Sequence, residues 1–396
     1  MTLYQSSSAP VVDALVKRSS VVGILELACR GLDLTPTQYE RARASYRAVG
    51  EHLSATADIR LSTALVYPQG SIAHETANKP VGRNEFDVDA VSRMPLMNPE
   101  TPPAVAKALV GKRLRENTYY ASILEEKPRC WRLNYKGEFH LDLTPSILNP
   151  GCAQGGELVP DRDLRCWKET NPKGMLALFD RRAALVPRLL LSKVEMSAAK
   201  AMIEDLPQPA RFKGLLRRIV QMLKRNRDLA FIATPDIAPI SVIITVLAAR
   251  SYELCVMTRE YDTELDVLLD VVAFMPKFIE HTADGYAIWN ETTQGENFAE
   301  KWNKDARLPL AFSRWHGEVL RGLQQIASAV GIDGVTRSIG AVFGDGPSEY
   351  VRKELTSTVS RARTGGVLGI STSSGLVVGA SKQIPVSKNT FYGVRD

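Results

Sequence analysis

The spacing of hydrophobic positions divides the chain into stretches that predict different secondary structure. Apolar residues recur with helical spacing between positions 11 and 53, and Thr35 followed by Pro36 predicts an N-cap with proline in the first turn of a second helix. Between 61 and 148 the pattern changes to short apolar runs broken by Gly, Pro and Asn, which is typical of strands. The runs that predict strands are TALVYP (63–68), EFDVDAVSRM (85–94) and FHLDLTPSIL (139–148).

Helical periodicity returns from residue 174 onward. The segments that predict helices are LALFDRRAALVPRLLL (176–191), RFKGLLRRIVQMLKRNRD (211–228), ISVIITVLAARSYEL (240–254), ELDVLLDVVAFMPKFIEH (264–281) and ENFAEKWN (296–303). From about Thr364 the sequence is rich in Gly, Ser, Thr and Val and carries little charge, a composition that favours a flexible tail.

A sheet-bearing lobe followed by a helical lobe predicts an α+β fold with a ligand-binding cleft between the two lobes. The expected units are a helical segment that braces both lobes, a sheet lobe, a helical lobe and a C-terminal extension that ends in the flexible tail. Their expected bounds are 1–60, 61–172, 173–330 and 331–396.

Composition narrows the class of protein only slightly. The 396 residues are 44% hydrophobic, and no stretch is expected to span a membrane, since a span needs roughly 18 apolar residues. The first residues lack the order of a signal peptide, so we expect a cytoplasmic protein with no membrane partner. Five scattered cysteines without a CxxC pair disfavour a structural zinc site or a disulfide framework. The net charge of +6 suits a pocket for nucleotides, but also any protein that avoids aggregation.

Two carboxylates occupy alternate positions of one predicted strand. Asp87 and Asp89 flank Val88, and side chains two positions apart on a strand project from the same face. Asp142 lies in a second predicted strand, so the three carboxylates converge if the two strands are neighbours. Three carboxylates and a substrate's phosphates can together coordinate two Mg²⁺ ions, as in two-metal phosphoryl transfer.

A glycine-serine turn precedes these strands. Gly70 and Ser71 follow the first predicted strand and precede a possible short helix. Glycine permits close approach of the backbone, and backbone N–H groups with the serine hydroxyl can bind terminal phosphates. The turn alone, or the D-x-D pair alone, says little. Their order along the chain, with the third aspartate after them, predicts a nucleotidyltransferase.

The same motifs resemble those of a known superfamily. The GS…EFDVD…HLDL arrangement resembles the DNA polymerase β-type nucleotidyltransferases, and most of all the bacterial cyclic-oligonucleotide synthases, the CD-NTases. These are relatives of cyclic GMP-AMP synthase and oligoadenylate synthase. Three later segments, LKRNRD (223–228), PISVIIT (239–245) and ENFAEKW (296–302), are similar to the second half of that family. The resemblance implies a polymerase β-like sheet lobe at 61–172 and an oligoadenylate synthase-like helical lobe, with the active site between them.

The resemblance also implies a metal cofactor, two Mg²⁺ or Mn²⁺ ions per active site. Asp87 and Asp89 would bind both ions. Asp142 would bind the catalytic ion and help to deprotonate the attacking ribose hydroxyl. The segment between Ser71 and Asp87, HETANKPVGRNE, is longer than in the shortest superfamily members, which leaves the geometry of this flap open.

Nucleotide contacts follow from the resemblance in the same way. Gln69, Gly70 and Ser71 would contact the triphosphate of the donor nucleotide. Lys224 matches the helix lysine that neutralises the triphosphate, and Ser241 matches a residue that supports the same phosphates. From the sequence alone, Ser241 is equally compatible with an N-cap or a packing residue.

Other polar residues have simpler interpretations. The second D-x-D, Asp161 to Asp163, follows a proline in loop-like sequence and predicts a surface loop. His140 is expected to be a half-exposed strand histidine. On the basic helix predicted at 213–228, Arg218 and Arg225 are expected to face solvent.

Three functions remain for comparison. The first is synthesis of a cyclic di- or trinucleotide second messenger from ATP or GTP, which by resemblance belongs to bacterial antiviral (CBASS) signalling. The second is nucleotide transfer to RNA or protein, but no broad basic surface or RNA-binding module is visible. The third is a scaffold with degenerate chemistry, which the three intact aspartates disfavour. Direct activation by nucleic acid, as in cyclic GMP-AMP synthase, would need a zinc-bearing insertion like the one in that enzyme. The cysteine spacing here offers no such zinc site, so this kind of activation is disfavoured. A regulatory protein acting on the C-terminal tail, including the aromatic motif at 389–393, is a possible partner.

Overall fold

The computed structural model describes residues 9–82, 85–161, 163–190, 213–371, 375–378 and 384–385. A mixed seven-stranded sheet has β1, β2, β5, β4 and β3 as neighbours in that order, and β6 and β7 extend it from β5. These strands are β1 (Leu65–Gln69), β2 (Phe86–Arg93), β3 (Leu124–Glu126), β4 (Trp131–Tyr135), β5 (Phe139–Leu148), β6 (Glu157–Pro160) and β7 (Trp167–Thr170).

Thirteen α-helices are found in the described part of the chain. They are α1 (Ala9–Leu32), α2 (Pro36–Ser54), α3 (Ile59–Ser62), α4 (Gly70–Ala73), α5 (Pro103–Arg115), α6 (Thr118–Ile123), α7 (Pro172–Ala183), α8 (Leu215–Ala230), α9 (Ser241–Thr258), α10 (Glu264–Phe274), α11 (Arg307–Ser328), α12 (Gly331–Phe343) and α13 (Asp345–Thr364). The predicted cap of α2 is confirmed, because the Thr35 side chain accepts a hydrogen bond from the Gln38 amide in a capping box.

The three predicted strands are confirmed as β1, β2 and β5. In β2, Phe86, Val88 and Ala90 are buried while the residues between them are less covered, which is the alternation of a strand with one face on the core. β2 and β5 pair in parallel, whereas the other pairings of this sheet are antiparallel. Parallel neighbours need a crossover connection. Here α5, α6, β3 and β4 supply it.

Two hydrophobic cores lie under the two lobes, and the N-terminal helices divide between them. Ile24 and Leu27 of α1 belong to the core of the helical lobe. Val49 and Leu53 of α2 belong to the core beneath the sheet. Two helices after residue 330, α12 and α13, also contribute to the helical core, for example through the fully buried Ile339 of α12.

Three of the predicted helices end early or take another form. The helix expected at 176–191 ends at Ala183, and beyond Pro187 a short strand β8 (Arg188–Leu189) pairs with β9 (Glu260–Tyr261). Pro187 has no amide hydrogen to donate, so it cannot continue the helix. Likewise α10 ends at Phe274 before a 3₁₀ turn at Met275–Phe278, which contains a proline, and β10 (Glu280–Thr282) follows and pairs with β11 (Gly285–Ala287).

The helix expected at 296–303 is reduced to a 3₁₀ turn at Glu300–Asn303. The cause lies in Asn297, whose side-chain oxygen accepts hydrogen bonds from the amides of Ile288 and Ala299. An asparagine side chain that bonds neighbouring backbone groups offers the chain an alternative to the helix.

Part of the C-terminal stretch forms short strands where the structure describes it. β12 (Leu368–Ser371) pairs antiparallel with β13 (Gly375–Val378) and with β14 (Ile384–Pro385). Composition rich in Gly and Ser does not exclude strands when Val and Ile alternate with them. The aromatic motif at 389–393 lies outside the described residues.

The expectation that Arg218 and Arg225 face solvent is wrong. Arg218 is 3% exposed and Arg225 is 8% exposed, because α8 lies inside the helical lobe. Arg218 donates hydrogen bonds to Glu26 at 2.8 Å and to Asp33 at 3.0 Å, both contributed by the N-terminal part of the chain. Arg225 donates to the Phe343 carbonyl. The basic helix is therefore a central support whose charges are matched by partners that its own sequence does not reveal.

Replacing Arg218 by Met should lower the free energy of unfolding by about 3 kcal/mol, because Glu26 and Asp33 would lose their buried partner and keep only Arg30 and Lys213 as counter-charges. Urea unfolding followed by circular dichroism measures the change. Arg43→Met is the control, because Arg43 forms an exposed ion pair with Glu40, and both residues lie on α2. This substitution should lower the free energy of unfolding by less than about 1 kcal/mol. Equal losses in the two variants would contradict a structural role for the buried network.

One helix among the described residues passes the length and hydropathy test for a membrane span. This is α9, with a mean hydropathy of 1.4 over 18 residues. However, 61% of these residues are buried within the helical lobe, among them Ile243, Leu247 and Tyr252. Core helices that are apolar on all sides have this composition.

Candidate active site

The three aspartates lie together on one face of the central sheet. Asp87 and Asp89 project from β2 on the face opposite the buried Val88. In the parallel pairing of β2 with β5, Asp142 is the register partner of Asp89. The structure therefore brings Asp142 beside the D-x-D pair. From the sequence, this convergence depended on the two strands being neighbours.

An arginine that the sequence analysis did not single out joins this group. Arg132 on β4 is the register partner of Asp142. Its Nε donates to Asp142 Oδ1 at 2.6 Å and its Nη2 donates to Asp142 Oδ2 at 2.7 Å. The same Nη2 also lies 3.3 Å from Asp87 Oδ1. The alternation in Trp131-Arg132-Leu133, with both flanking residues buried, was the signal that could have predicted it.

The donor set can be tested for its fit to divalent cations. Carboxylate oxygens on adjacent strands are the hard ligands that Mg²⁺ prefers. Burial, together with the charges of Asp87 and Asp142, raises the pKa of Asp89 to about 7, which indicates crowded carboxylates short of positive charge. Among the described residues, no three His, Cys, Asp or Glu side chains surround a position that could hold a metal ion. The set fits a divalent cation in the type of its ligands, but Asp142 is turned towards Arg132 and the three carboxylates do not converge on one position.

Gly70 brings the glycine-serine turn against the carboxylates. Its φ is +64°, a left-handed conformation that favours glycine. A Cβ added to Gly70 would overlap Asp89 Oδ2 and lie 3.2 Å from Asp89 Cγ. Gln69, the last residue of β1, is paired with Asp89 across the antiparallel ladder. Ser71 is the second residue of the short helix α4 and follows Gly70 directly. Gln69 and Gly70 therefore lie at the edge of the aspartate group.

A buried histidine holds this turn in place. His74 Nδ1 donates a hydrogen bond of 2.7 Å to the Gly70 carbonyl, and the His74 ring packs edge-on against Phe179 of α7, with centroids 4.8 Å apart. Burial lowers the pKa of His74, which keeps the ring neutral and leaves one nitrogen to donate. His74 was not predicted as a site residue, since a single histidine after a turn carries no distinctive spacing.

The flap between the turn and β2 is docked on α8 over its first half. Asn78 Nδ2 donates to the Gln221 carbonyl at 2.9 Å, and Gln221 Nε2 donates to the Ala77 carbonyl at 3.0 Å. Arg83 and Asn84 lie outside the described residues. These reciprocal bonds fix α8 against the sheet lobe, so the cleft has a defined wall.

Lys224 lies on this wall. It is 7% exposed, and its Nζ donates to the Thr76 carbonyl at 3.2 Å and to the Thr76 hydroxyl at 3.3 Å. Burial, reinforced by the nearby charge of Arg227, lowers the pKa of Lys224 to about 8, while Asp89 acts in the opposite direction. Lys224 is thus within electrostatic reach of the aspartate group.

Ser241 connects to the same side of α8 through Arg227. The Arg227 Nη2 donates to the Ser241 hydroxyl at 3.0 Å. Because Arg227 follows Lys224 by three residues, the two cations share a face of the helix. Ser241 is the first residue of α9 and Ile240 is the cap, so the interpretation of Ser241 as an N-cap is wrong.

The simpler interpretations of the remaining polar residues agree with the structure. His140 is a partly exposed strand residue whose Nδ1 lies 3.0 Å from Glu85 Oε2, although it is also the register partner of Asp87. Asp161 and Asp163 lie in the loop between β6 and β7. There Asp161 accepts hydrogen bonds from the amides of Arg165 and Cys166, a structural role within the loop.

Known proteins are similar to this chain in sequence. The profile of the second messenger oligonucleotide or dinucleotide synthetase domain matches residues 21–182. A c-di-GMP synthase of Roseivirga ehrenbergii is 31% identical over 370 residues, which cover 91% of this chain and 94% of the relative. The cyclic dinucleotide synthase CdnG of Bradyrhizobium diazoefficiens is 23% identical over 382 residues, 91% of this chain and 89% of that protein.

Solved structures have a similar fold. CdnG of B. diazoefficiens in complex with GTP superposes with a TM-score of 0.64 at 20% identity, over 84% of this chain and 98% of that chain. CdnC of E. coli MS115-1 with ATP gives a TM-score of 0.56 at 13% identity, over 82% of this chain and 97% of the other.

A sheet that presents aspartates from adjacent strands beside a glycine-serine turn, with a helical lobe packed over it, defines a nucleotidyltransferase of the polymerase β-like fold. Within that class, full-length similarity at 31% identity is decisive. This chain belongs to the bacterial CD-NTases, the family of cyclic-oligonucleotide synthases.

Proposed function

We propose that this protein makes a cyclic dinucleotide second messenger from purine nucleoside triphosphates, with GTP as the first candidate substrate. The observation that carries the proposal is the close packing of Gly70 on Asp89, with Asp142 beside it in register. The contact of the turn with the carboxylates supports a role for the turn in binding phosphate beside them. The choice of GTP rests on the relative from R. ehrenbergii, which is a c-di-GMP synthase.

The reaction forms a bond between the ribose hydroxyl oxygen of one nucleotide and the α-phosphorus of another. The bond to pyrophosphate breaks, and a second transfer closes the ring. We assign to the Asp142 carboxylate the role of accepting the proton of the attacking hydroxyl. Lys224, supported by Arg227 and Ser241, offsets the charge of the triphosphate.

Two divalent cations, Mg²⁺ or Mn²⁺, are proposed as cofactors, with Asp87, Asp89 and Asp142 as their protein ligands. When bound, such ions lower the pKa of the attacking hydroxyl and stabilise the charge on the leaving pyrophosphate. The raised pKa of Asp89 supports this assignment, since a cation would stabilise the charged form that burial and the neighbouring carboxylates disfavour.

Incubation of the purified protein with labelled triphosphates, singly and in pairs, tests the proposed activity. GTP with Mg²⁺ should give a phosphatase-resistant product that comigrates with c-di-GMP. A product that requires ATP as well would revise the base selectivity and keep the synthase. Labelled RNA or labelled protein in place of a cyclic product would favour the alternative, a transferase that modifies a macromolecule.

The pH dependence of substrate binding should follow Lys224. Its pKa of about 8 means that it is charged below pH 8 and loses its charge as the pH rises through that value. The affinity for a non-hydrolysable GTP analogue should therefore fall above pH 8, by at most about tenfold per pH unit. Lys224→Arg should keep its charge and flatten this profile, and Lys224→Met should bind weakly at all pH values. An unchanged profile in both variants would contradict the assigned role.

The wider context is proposed on the same basis. We place the protein in the cytoplasm, where nucleoside triphosphates are available, and assign its product to antiviral signalling. A complex of E. coli CdnC with a HORMA protein supports the idea that a regulatory protein binds this chain too. Phage challenge of cells carrying the parent or the Asp87→Asn/Asp89→Asn variant, each with a messenger-activated effector, would test this context. Equal phage resistance in both would argue against it.

A further inference from the structure

Arg132 occupies an unusual position for a strand residue next to candidate metal ligands. Both oxygens of Asp142 accept hydrogen bonds from it, at 2.6 and 2.7 Å, and Asp87 lies 3.3 Å from its Nη2. The two parallel bonds to one carboxylate form the bidentate arrangement that is the strongest and most directional pairing of an arginine.

The packing of β4 does not depend on this side chain. Trp131 and Leu133, on the other face of the strand, are buried in the core beneath the sheet. The Arg132 side chain remains 22% exposed, on the face that carries the carboxylates. Its contacts therefore serve the carboxylate group rather than the core.

We propose that Arg132 is a positioning residue that holds the carboxylates in a metal-free arrangement, and that its guanidinium leaves Asp142 when a divalent cation binds there. The proposal rests on the proposed function, in which Asp87, Asp89 and Asp142 are the metal ligands. It accounts for a feature that the assignment of ligands alone leaves unexplained. Oxygen donors on neighbouring strands do not converge on an ion position because Asp142 faces an arginine.

The released guanidinium then has an evident partner. It is planar, permanently charged and matches a phosphate as well as it matches a carboxylate. A nucleotide that arrives with its cation brings phosphate oxygens to the same face of the sheet. When Arg132 exchanges Asp142 for a phosphate, cation binding becomes coupled to nucleotide binding. In the absence of nucleotide, the cation should therefore bind weakly.

Direct binding of Mn²⁺ in the absence of nucleotide, measured by the loss of the free-ion EPR signal, tests the proposal. Arg132→Gln should bind Mn²⁺ about tenfold more tightly than the parent, as expected if a pair worth about 1.4 kcal/mol no longer has to break. Arg132→Lys keeps the charge but cannot bond both oxygens in parallel, so its affinity should lie between the two. Arg41→Gln, which removes an arginine paired with the surface residue Glu138, should bind like the parent.

Thermal unfolding supplies a second readout. With EDTA, Arg132→Gln should unfold at a lower temperature than the parent, because the carboxylates lose their counter-charge. With saturating Mg²⁺, it should gain more stability than the parent, because the stabilisation of the folded state by a bound cation grows with the logarithm of the affinity.

The outcomes separate this proposal from the proposed function. Equal or weaker Mn²⁺ binding by Arg132→Gln, with an Mg²⁺ gain no larger than that of the parent, would overturn the role of Arg132. If Arg132→Lys matched the parent while Arg132→Gln bound more tightly, only the long-range charge of Arg132 would matter, and the specific exchange would be wrong. If Asp87→Asn/Asp89→Asn bound Mn²⁺ as tightly as the parent, the metal site itself would be misplaced, and the proposed function would lose its cofactor.

Discussion

Replacing Asp87 and Asp89 together by Asn should abolish synthesis of the cyclic product, with a loss of at least about a thousandfold in rate. Both carboxylates project from one face of β2 beside Asp142, and the amide is a far weaker ligand for a hard cation. The fold should persist, because the buried neighbour Val88 is unchanged and the double variant removes the buried, mutually repelling charges that raise the pKa of Asp89. Product formation from labelled triphosphates measures the loss, and the thermal midpoint without metal should equal or exceed that of the parent.

The chain supplies its own matched control in the second D-x-D sequence. Asp163 is exposed in the loop between β6 and β7, and Asp163→Asn should keep full activity. Parental activity in the double variant, or equal losses in both, would contradict the assignment of the β2 carboxylates to catalysis.

Gly70→Ala should reduce activity by at least about a hundredfold and destabilise the protein by about 1–2 kcal/mol. The stability cost comes from the left-handed φ of +64°, which a side chain disfavours. The loss of activity has a separate cause, since the added methyl group would overlap Asp89 Oδ2 and push the turn or the carboxylate out of place. Steady-state kinetics and urea unfolding measure the two effects.

The variant Gly331→Ala separates the effect of backbone strain from the effect of contact with Asp89. Gly331 has a φ of +73°, and a Cβ added there would meet nothing within 4 Å. It should therefore show a similar loss of stability with unchanged activity. If Gly331→Ala lowered activity as much as Gly70→Ala, backbone strain rather than contact with Asp89 would explain the effect.

The elements that the sequence predicted well are those with a strong local pattern. In β2 and β5 apolar residues alternate with polar ones, and this period places Asp87 and Asp89 on one face without further information. The glycine at position 70 was predicted from its place between a strand and a short helix. Its physical reason, the close approach to Asp89, needed coordinates.

The elements that were predicted wrongly depend on contacts between distant parts of the chain. Arg218 and Arg225 form a basic pattern that is typical of a surface helix, yet Glu26, Asp33 and the Phe343 carbonyl provide partners inside the protein. Such partners lie more than a hundred residues away in sequence. Local periodicity cannot report them, because it records only which side chains are polar and not what compensates their charge.

By itself, the sequence predicted the class of chemistry, because the glycine-serine turn, the D-x-D pair and Asp142 occur in the order of a nucleotidyltransferase, and strand periodicity places Asp87 and Asp89 on one face. The tertiary structure decided how that site is completed. The parallel pairing of β2 with β5 puts Asp142 beside Asp89, and the antiparallel β4 puts Arg132 on Asp142. Strand order and register are set by the packing of whole cores, since a shift of one residue would turn these side chains to the other face. That packing is a property of the folded chain.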